Sequence, residues 1–177
     1  DAKLCTKDNF GCGGNNLFNA MDDGANDWFY WTNLKYDTNI YPMKIDFSKY
    51  SSVRIGGIFD VEVLDEMREF DGVIIGGANN LLISPNPPKM GILGSEFDYI
   101  KLENGVLKIG AKTPSSKIYK FTKDNNIGGF EFVKKIPGTL GGMIKMNAGV
   151  KEYEISNLLL NITTSKGIAL ANECGFS

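Results

Sequence analysis

The 177-residue chain contains no histidine. Histidine is the side chain whose ordinary pKa lies nearest neutrality. Its absence removes Ser-His-Asp and Cys-His catalysis, imidazole-ligated metals and the commonest acid–base group. Cysteine is scarce: Cys5, Cys12 and Cys174 are odd in number, widely spaced and form no CxxC pair. That argues against a zinc site or a disulfide framework and points to a reducing compartment. An excess of charge of either sign is missing, with 19 basic against 21 acidic residues and a net charge of −2. No basic stripe marks a nucleic-acid partner. No apolar run approaches the roughly 18 residues of a membrane span, and the opening at Asp1 has no charged-then-apolar pattern of a signal peptide.

What is there divides near residue 42. Residues 1–42 hold three Lys against six Asp, many Asn and Gly, and the aromatic run Trp28-Phe29-Tyr30-Trp31. No apolar periodicity persists, so the segment reads as an unassigned leader or foreign segment. The aromatic run is either a sugar-stacking platform or plain packing. From Met43 onward the pattern is that of a folded α+β domain. VEVL (61–64) and GVIIGG (72–77) fit short buried strands, with one or two helical turns expected over 64–71. YIKLENGVLKIG (99–110) is a hairpin about Asn104-Gly105, because a two-residue type I′ turn needs positive φ at both central positions. Thr113 as cap, Pro114 in the first turn and Gly128-Gly129 beyond the end bracket one helix with Ile118, Tyr119 and Phe121 on one face. ISNLLLNITT (155–164) reads as a strand, followed by a turn at 165–167.

Two loops are rich in glycine. The first, IGGANNLLIS (75–84), follows a strand, and bare backbone there can form a nest of N–H groups for an anion. The second, IPGTLGGMIKMNAG (136–149), has four glycines and no acidic residue. Thr139 is placed to cap a short helix whose free N–H groups and partial positive charge suit a pyrophosphate. Taken alone, each loop reads first as an ordinary structural turn. Neither contains GxxxxGK[ST] or GxGxxG, so a phosphate would not be held in the P-loop or Rossmann manner. Lys145 is either a phosphate contact or a solvated lysine, Lys134-Lys135 reads as an exposed face, and Cys174 as a small core or strand residue.

Taken together, YSSVRIGG (50–57), GGANNLL (76–82), GFEF (129–132) and IPGTLGGMIKMNAG, in this order, resemble the UDP-N-acetylenolpyruvoylglucosamine reductases, the MurB family. In detail they are most like the short reductases of the Campylobacter group. The resemblance runs from Met43 to Ser177. It implies an FAD-binding fold of the PCMH type, with a first FAD-binding lobe over 43–95 and a second, incomplete lobe over 96–177. By the same resemblance Gly76, Gly77, Ala78, Asn79, Asn80 and Leu81, with Ile136, Pro137, Gly138, Thr139, Gly141 and Gly142, cradle the FAD pyrophosphate. Asn147, Ala148 and Gly149 fall on the ligand side, and Arg54, Ile55 and Gly56 line the adenine–ribose side. The family implies NADPH as reductant, UDP-N-acetylglucosamine enolpyruvate as substrate and the cytoplasm as location. With no histidine, FAD is expected to be held non-covalently.

The family's Tyr-Arg pair, its Ser or Cys proton donor and its late Glu have no counterpart in these residues. No catalytic residue is assigned, and the expectation is the orienting part of the enzyme, inactive alone. Two other readings stand beside it: the FAD-binding part of another PCMH-type oxidoreductase, and a non-catalytic binding module whose glycines serve turns.

Overall fold

Strand β1 (Met43–Asp46) leads directly into a single helical turn, α1 (Phe47–Tyr50). The turn forms because Asp46, in extended conformation, accepts a hydrogen bond from the Ser48 N–H and so satisfies a first-turn donor. Ser51 closes it by donating its hydroxyl to the Phe47 carbonyl at 2.8 Å. Strand β2 (Ile58–Leu64) runs back antiparallel to β1, with Met43 opposite Val61. Strands β3 (Val73–Ile75) and β4 (Met90–Leu93) complete a four-stranded sheet of order β1-β2-β4-β3, in which β2, β4 and β3 are parallel. These coordinates are a computed structural model that describes residues 42–176 of the chain. The aromatic run Trp28–Trp31, Cys5, Cys12 and all but the last residue of the 1–42 segment lie outside the described residues.

The first apolar cluster lies on this sheet: Ile45, Phe47, Val61, Ile75, Ala78 and Met90, with Phe59, Leu81, Ile83 and Ile92 against it. GVIIGG proves to be an edge strand. Val73 and Ile74 are nearly half exposed and Ile75 alone of the three is buried, because β3 has a neighbour on one side only. The helical turns expected at 64–71 are absent. Arg68 turns back to pair with Glu62 on β2, and Lys89 meets the same carboxylate at 2.6 Å. The Phe70 ring, under the Lys89 ammonium at 5.0 Å, sits where Cβ atoms on Gly72 and Gly91 would be. Two glycines thus make room for an aromatic residue, and a connection without a helix joins β2 to β3.

The hairpin of β5 (Ile100–Glu103) and β6 (Val106–Ile109) forms as expected, with Asn104 at φ 50° and Gly105 at φ 77°. Helix α2 (Ser115–Asp124) buries Ser115, Ile118 and Thr122, with Tyr119 and Phe121 half-buried beside them. Pro114, and not Thr113, occupies the position before the first turn, and the Thr113 hydroxyl is spent on the Tyr99 carbonyl at 3.1 Å. The helix ends on Asn126, at φ 55°, before the two glycines are reached. The Asn126 and Ile127 N–H groups donate back to Lys123 and Thr122, a Schellman closure.

A 3-10 turn over Glu131–Lys135 precedes α3 (Leu140–Lys145) and the small hairpin of β7 (Gly149–Val150) and β8 (Tyr153–Glu154). Ile118, Phe132, Val133, Leu140, Met143 and Ile155 form the second cluster. Ile155–Leu158, expected as strand, is a 3-10 turn, because buried Ile155 is drawn into this cluster. The strand begins at Asn161, where β9 (Asn161–Thr164) pairs with β10 (Gly167–Leu170). Mixed helix and strand with separate parallel and antiparallel pairings is an α+β arrangement.

Candidate functional site

The first glycine loop leaves the sheet at Ile75, the last residue of β3. Ala78 takes a left-handed backbone, φ 49°, and its methyl group is buried in the first cluster. A non-glycine residue in that region costs free energy and persists only where its surroundings hold it. Three contacts from the segment after α1 do so. The Tyr50 hydroxyl donates to the Gly76 carbonyl at 2.8 Å, and the Ser52 N–H donates to the Ala78 carbonyl at 3.2 Å. The Ser52 hydroxyl donates to Oδ1 of Asn79. The backbone N–H groups of Gly77, Ala78, Asn79 and Asn80 donate to no other described residue.

The second loop is anchored to the segment before α2. Thr139 bridges Pro114, with the Ser115 N–H on the Gly138 carbonyl at 2.9 Å and the Leu140 N–H on the Thr113 carbonyl at 3.0 Å. The Gly141 N–H is likewise taken by the Ala111 carbonyl at 2.8 Å. Thr139 stands at the cap position in extended conformation, yet its side chain caps nothing. The first turn of α3 is therefore mostly committed. Among the described residues none accepts from the N–H groups of Gly138, Thr139 and Gly142.

These two loops meet. A Cβ built on Gly76 would lie 2.8 Å from the Thr139 hydroxyl and 3.7 Å from the Gly142 Cα. One built on Gly77 would lie 3.2 Å from the Gly138 Cα, and one on Gly138, 3.0 Å from Nδ2 of Asn79. Gly138 is at φ 122°, open to glycine and strained for other residues. Gly142 differs: it lies inside a helix, and a Cβ there would meet nothing closer than the Thr139 hydroxyl at 3.6 Å. Glycine costs about 1 kcal/mol against alanine inside a helix, so packing among the described residues does not require it.

The remaining expected positions serve varied ends. Arg54 is exposed at φ 56°, and Ile55 is exposed. Gly56, at φ 146°, lets the backbone pass Phe47, whose Cβ would stand 2.8 Å from an added methyl. Through Tyr50 and Ser52 this segment is tied to the first loop. Asn147, Ala148 and Gly149 follow the far end of α3. Asn147, at φ 41°, donates to Glu154 at 2.9 Å and accepts from the Ser156 N–H at 3.3 Å. A Cβ on Gly149 would collide with the Tyr153 carbonyl at 2.5 Å. Both brace the β7–β8 hairpin. Ile136 is half-buried against the second cluster, Pro137 exposed, and Leu81 packs on the first cluster. Lys145 is exposed, Lys134 lies over the Tyr119 ring at 5.4 Å, and the Cys174 thiol donates to the Leu170 carbonyl. No helix among the described residues is long and apolar enough to cross a membrane.

Sequence reasoning had no signal for Tyr50 and Ser52 as parts of the site beyond their place in the YSSVRIGG stretch. A tyrosine beside two serines carries no motif, and its contact spans 26 residues.

The fold is shared with a protein whose crystal structure is known. The chain aligns with UDP-N-acetylenolpyruvylglucosamine reductase (MurB) from Thermus caldophilus at a TM-score of 0.64 and 20% identity, over 77% of this chain and 55% of that one. No family model matches the chain. The sequence relatives are closer. UDP-N-acetylenolpyruvoylglucosamine reductase from Campylobacter jejuni strain RM1221 is 56% identical over 139 residues, 76% of this chain and 54% of the relative. The Helicobacter pylori 26695 protein of the same name is 46% identical over 117 residues, 65% of this chain and 45% of the relative. The chain is similar to the UDP-N-acetylenolpyruvoylglucosamine reductases, and it spans about half the length of the curated relatives it matches.

Proposed function

We propose that residues 43–177 form the FAD-binding part of an NADPH-dependent UDP-N-acetylenolpyruvoylglucosamine reductase of peptidoglycan synthesis, working in the cytoplasm. In this reading the fold is of the PCMH type, with one FAD-binding lobe over 43–95 and a second over 96–177. The observation that carries it is the convergence of two glycine loops from different cores, Gly76-Gly77 against Gly138-Thr139 and Gly142.

The residues present fit an FAD pyrophosphate. Side chains are missing where Cβ atoms would crowd the groove, and backbone donors on both walls are given to no other described residue, a combination suited to phosphate oxygens. Bound FAD would supply the hydride chemistry between NADPH and the enolpyruvyl double bond. This chain's residues would do the orienting. Gly77, Asn79 and Asn80 would hold the pyrophosphate from one wall, and Thr139 and Gly142 from the other. Arg54, Ile55 and Gly56 would line the adenine–ribose side. No side chain here is assigned a proton-transfer role.

The test is on the full-length product of the gene. It should purify yellow or take up one FAD, and oxidise NADPH only when UDP-N-acetylglucosamine enolpyruvate is supplied. A colourless protein that takes up no flavin would reject the reading.

A further inference from the structure

We propose that Tyr50 and Ser52 are positioning residues of this site: they clamp the Gly76 and Ala78 carbonyls, and so aim the Gly77 and Asn79 N–H groups at the pyrophosphate. The proposal rests on the FAD reading above. A trans peptide unit is planar, with its C=O and N–H pointing in opposite directions. Fixing the Gly76 carbonyl therefore fixes the Gly77 N–H, and fixing the Ala78 carbonyl fixes that of Asn79. Both carbonyls are held by one segment, by Tyr50 Oη at 2.8 Å and by the Ser52 N–H at 3.2 Å. Both N–H groups consequently face away from that segment.

A third donor is set by the same residues. The Ser52 hydroxyl occupies Oδ1 of Asn79, which leaves the Nδ2 donors free to turn inward. Nδ2 stands 2.6 Å from where a Cβ on Gly77 would be and 3.0 Å from one on Gly138, between the two loops.

The clamp is rigid at its base. The Tyr50 ring packs edge-on against Phe47, centroids 5.7 Å apart, and Phe47 is fully buried. Partial burial lifts the Tyr50 hydroxyl above its ordinary pKa, so it stays a donor throughout the physiological range. The clamp also accounts for Ala78: a left-handed alanine is retained because its carbonyl is held from outside the loop.

Tyr50→Phe removes one oxygen and keeps the ring. In the full-length gene product, isotope-labelled for amide spectra, the Kd for FAD should rise about three- to tenfold, the worth of one net hydrogen bond. The FAD-induced shift of the Gly77 amide should shrink while that of Gly142, on the opposite wall, is retained. The melting temperature serves as the control for folding. If wild type binds FAD and Tyr50→Phe binds it equally tightly, the clamp is wrong and the cofactor site stands. A loss in which the Gly77 and Gly142 shifts change alike is general loosening and also overturns it. If wild type binds no FAD, clamp and cofactor reading fall together.

Discussion

Gly142 separates a glycine kept for a ligand from one kept for the fold. Inside α3 an alanine there meets, among the described residues, only the Thr139 hydroxyl, at an ordinary contact distance. Gly142→Ala should therefore stabilise the protein by roughly 0.5–1 kcal/mol, read as a higher midpoint in thermal or urea unfolding. Gly141 shares its helix but faces the Ala111 methyl at 3.1 Å and carbonyl at 3.2 Å. Gly141→Ala should gain less or lose, and equal gains at both positions would contradict the distinction. At Gly105, φ 77° with no atom within 4 Å of an added Cβ, the cost is conformational alone. Gly105→Ala should destabilise by about 1 kcal/mol, with no effect on flavin uptake. A glycine's spacing cannot say which of these roles it plays, since that depends on what another part of the chain brings near it.

Among the elements, the connection 65–72 depends on charge. The hydrogen bond from Lys89, and then that from Arg68, hold the Glu62 carboxyl below the ordinary glutamate range. A carboxylate with a depressed folded-state pKa contributes stability fully present above the unfolded value of about 4.3 and lost as pH falls through the folded value. Glu62→Gln should therefore lower stability at pH 7 by about 1 kcal/mol or less, and the difference from wild type should vanish near pH 3. Denaturant unfolding at the two pH values measures it. A deficit that persists at pH 3 would assign the effect to packing.

The same connection shows where sequence reasoning ran out. The short run LDEMREFD between two strands reads as one or two helical turns. Lys89 and Gly91 are distant in sequence, and together with Glu62 and Gly72 they decide otherwise. The Asn104-Gly105 hairpin was legible because its cause lies within two residues. α2 was legible in its position, but its end was set by Asn126 rather than by the glycines beyond. Ile155–Leu158 was lost because its burial comes from the Leu140 and Met143 side of the core.

Over the whole molecule, the site is made by bringing together chain segments about sixty residues apart. The composition of each loop pointed to bare backbone near an anion or a turn. The family resemblance favoured the anion, and the second loop's place opposite the first supports that reading. The Tyr50 and Ser52 contacts, which brace the first loop, had no local signature. The most direct measurement is an equilibrium FAD titration of the full-length gene product beside its Gly142→Val variant, with circular dichroism to follow the fold. If the two loops share one pyrophosphate, wild type binds one FAD per chain. Gly142→Val then weakens binding about ten- to hundredfold while the dichroism is unchanged. Full flavin occupancy with undiminished affinity in Gly142→Val would contradict the account, because the open space that a Gly142 side chain enters would then hold no cofactor.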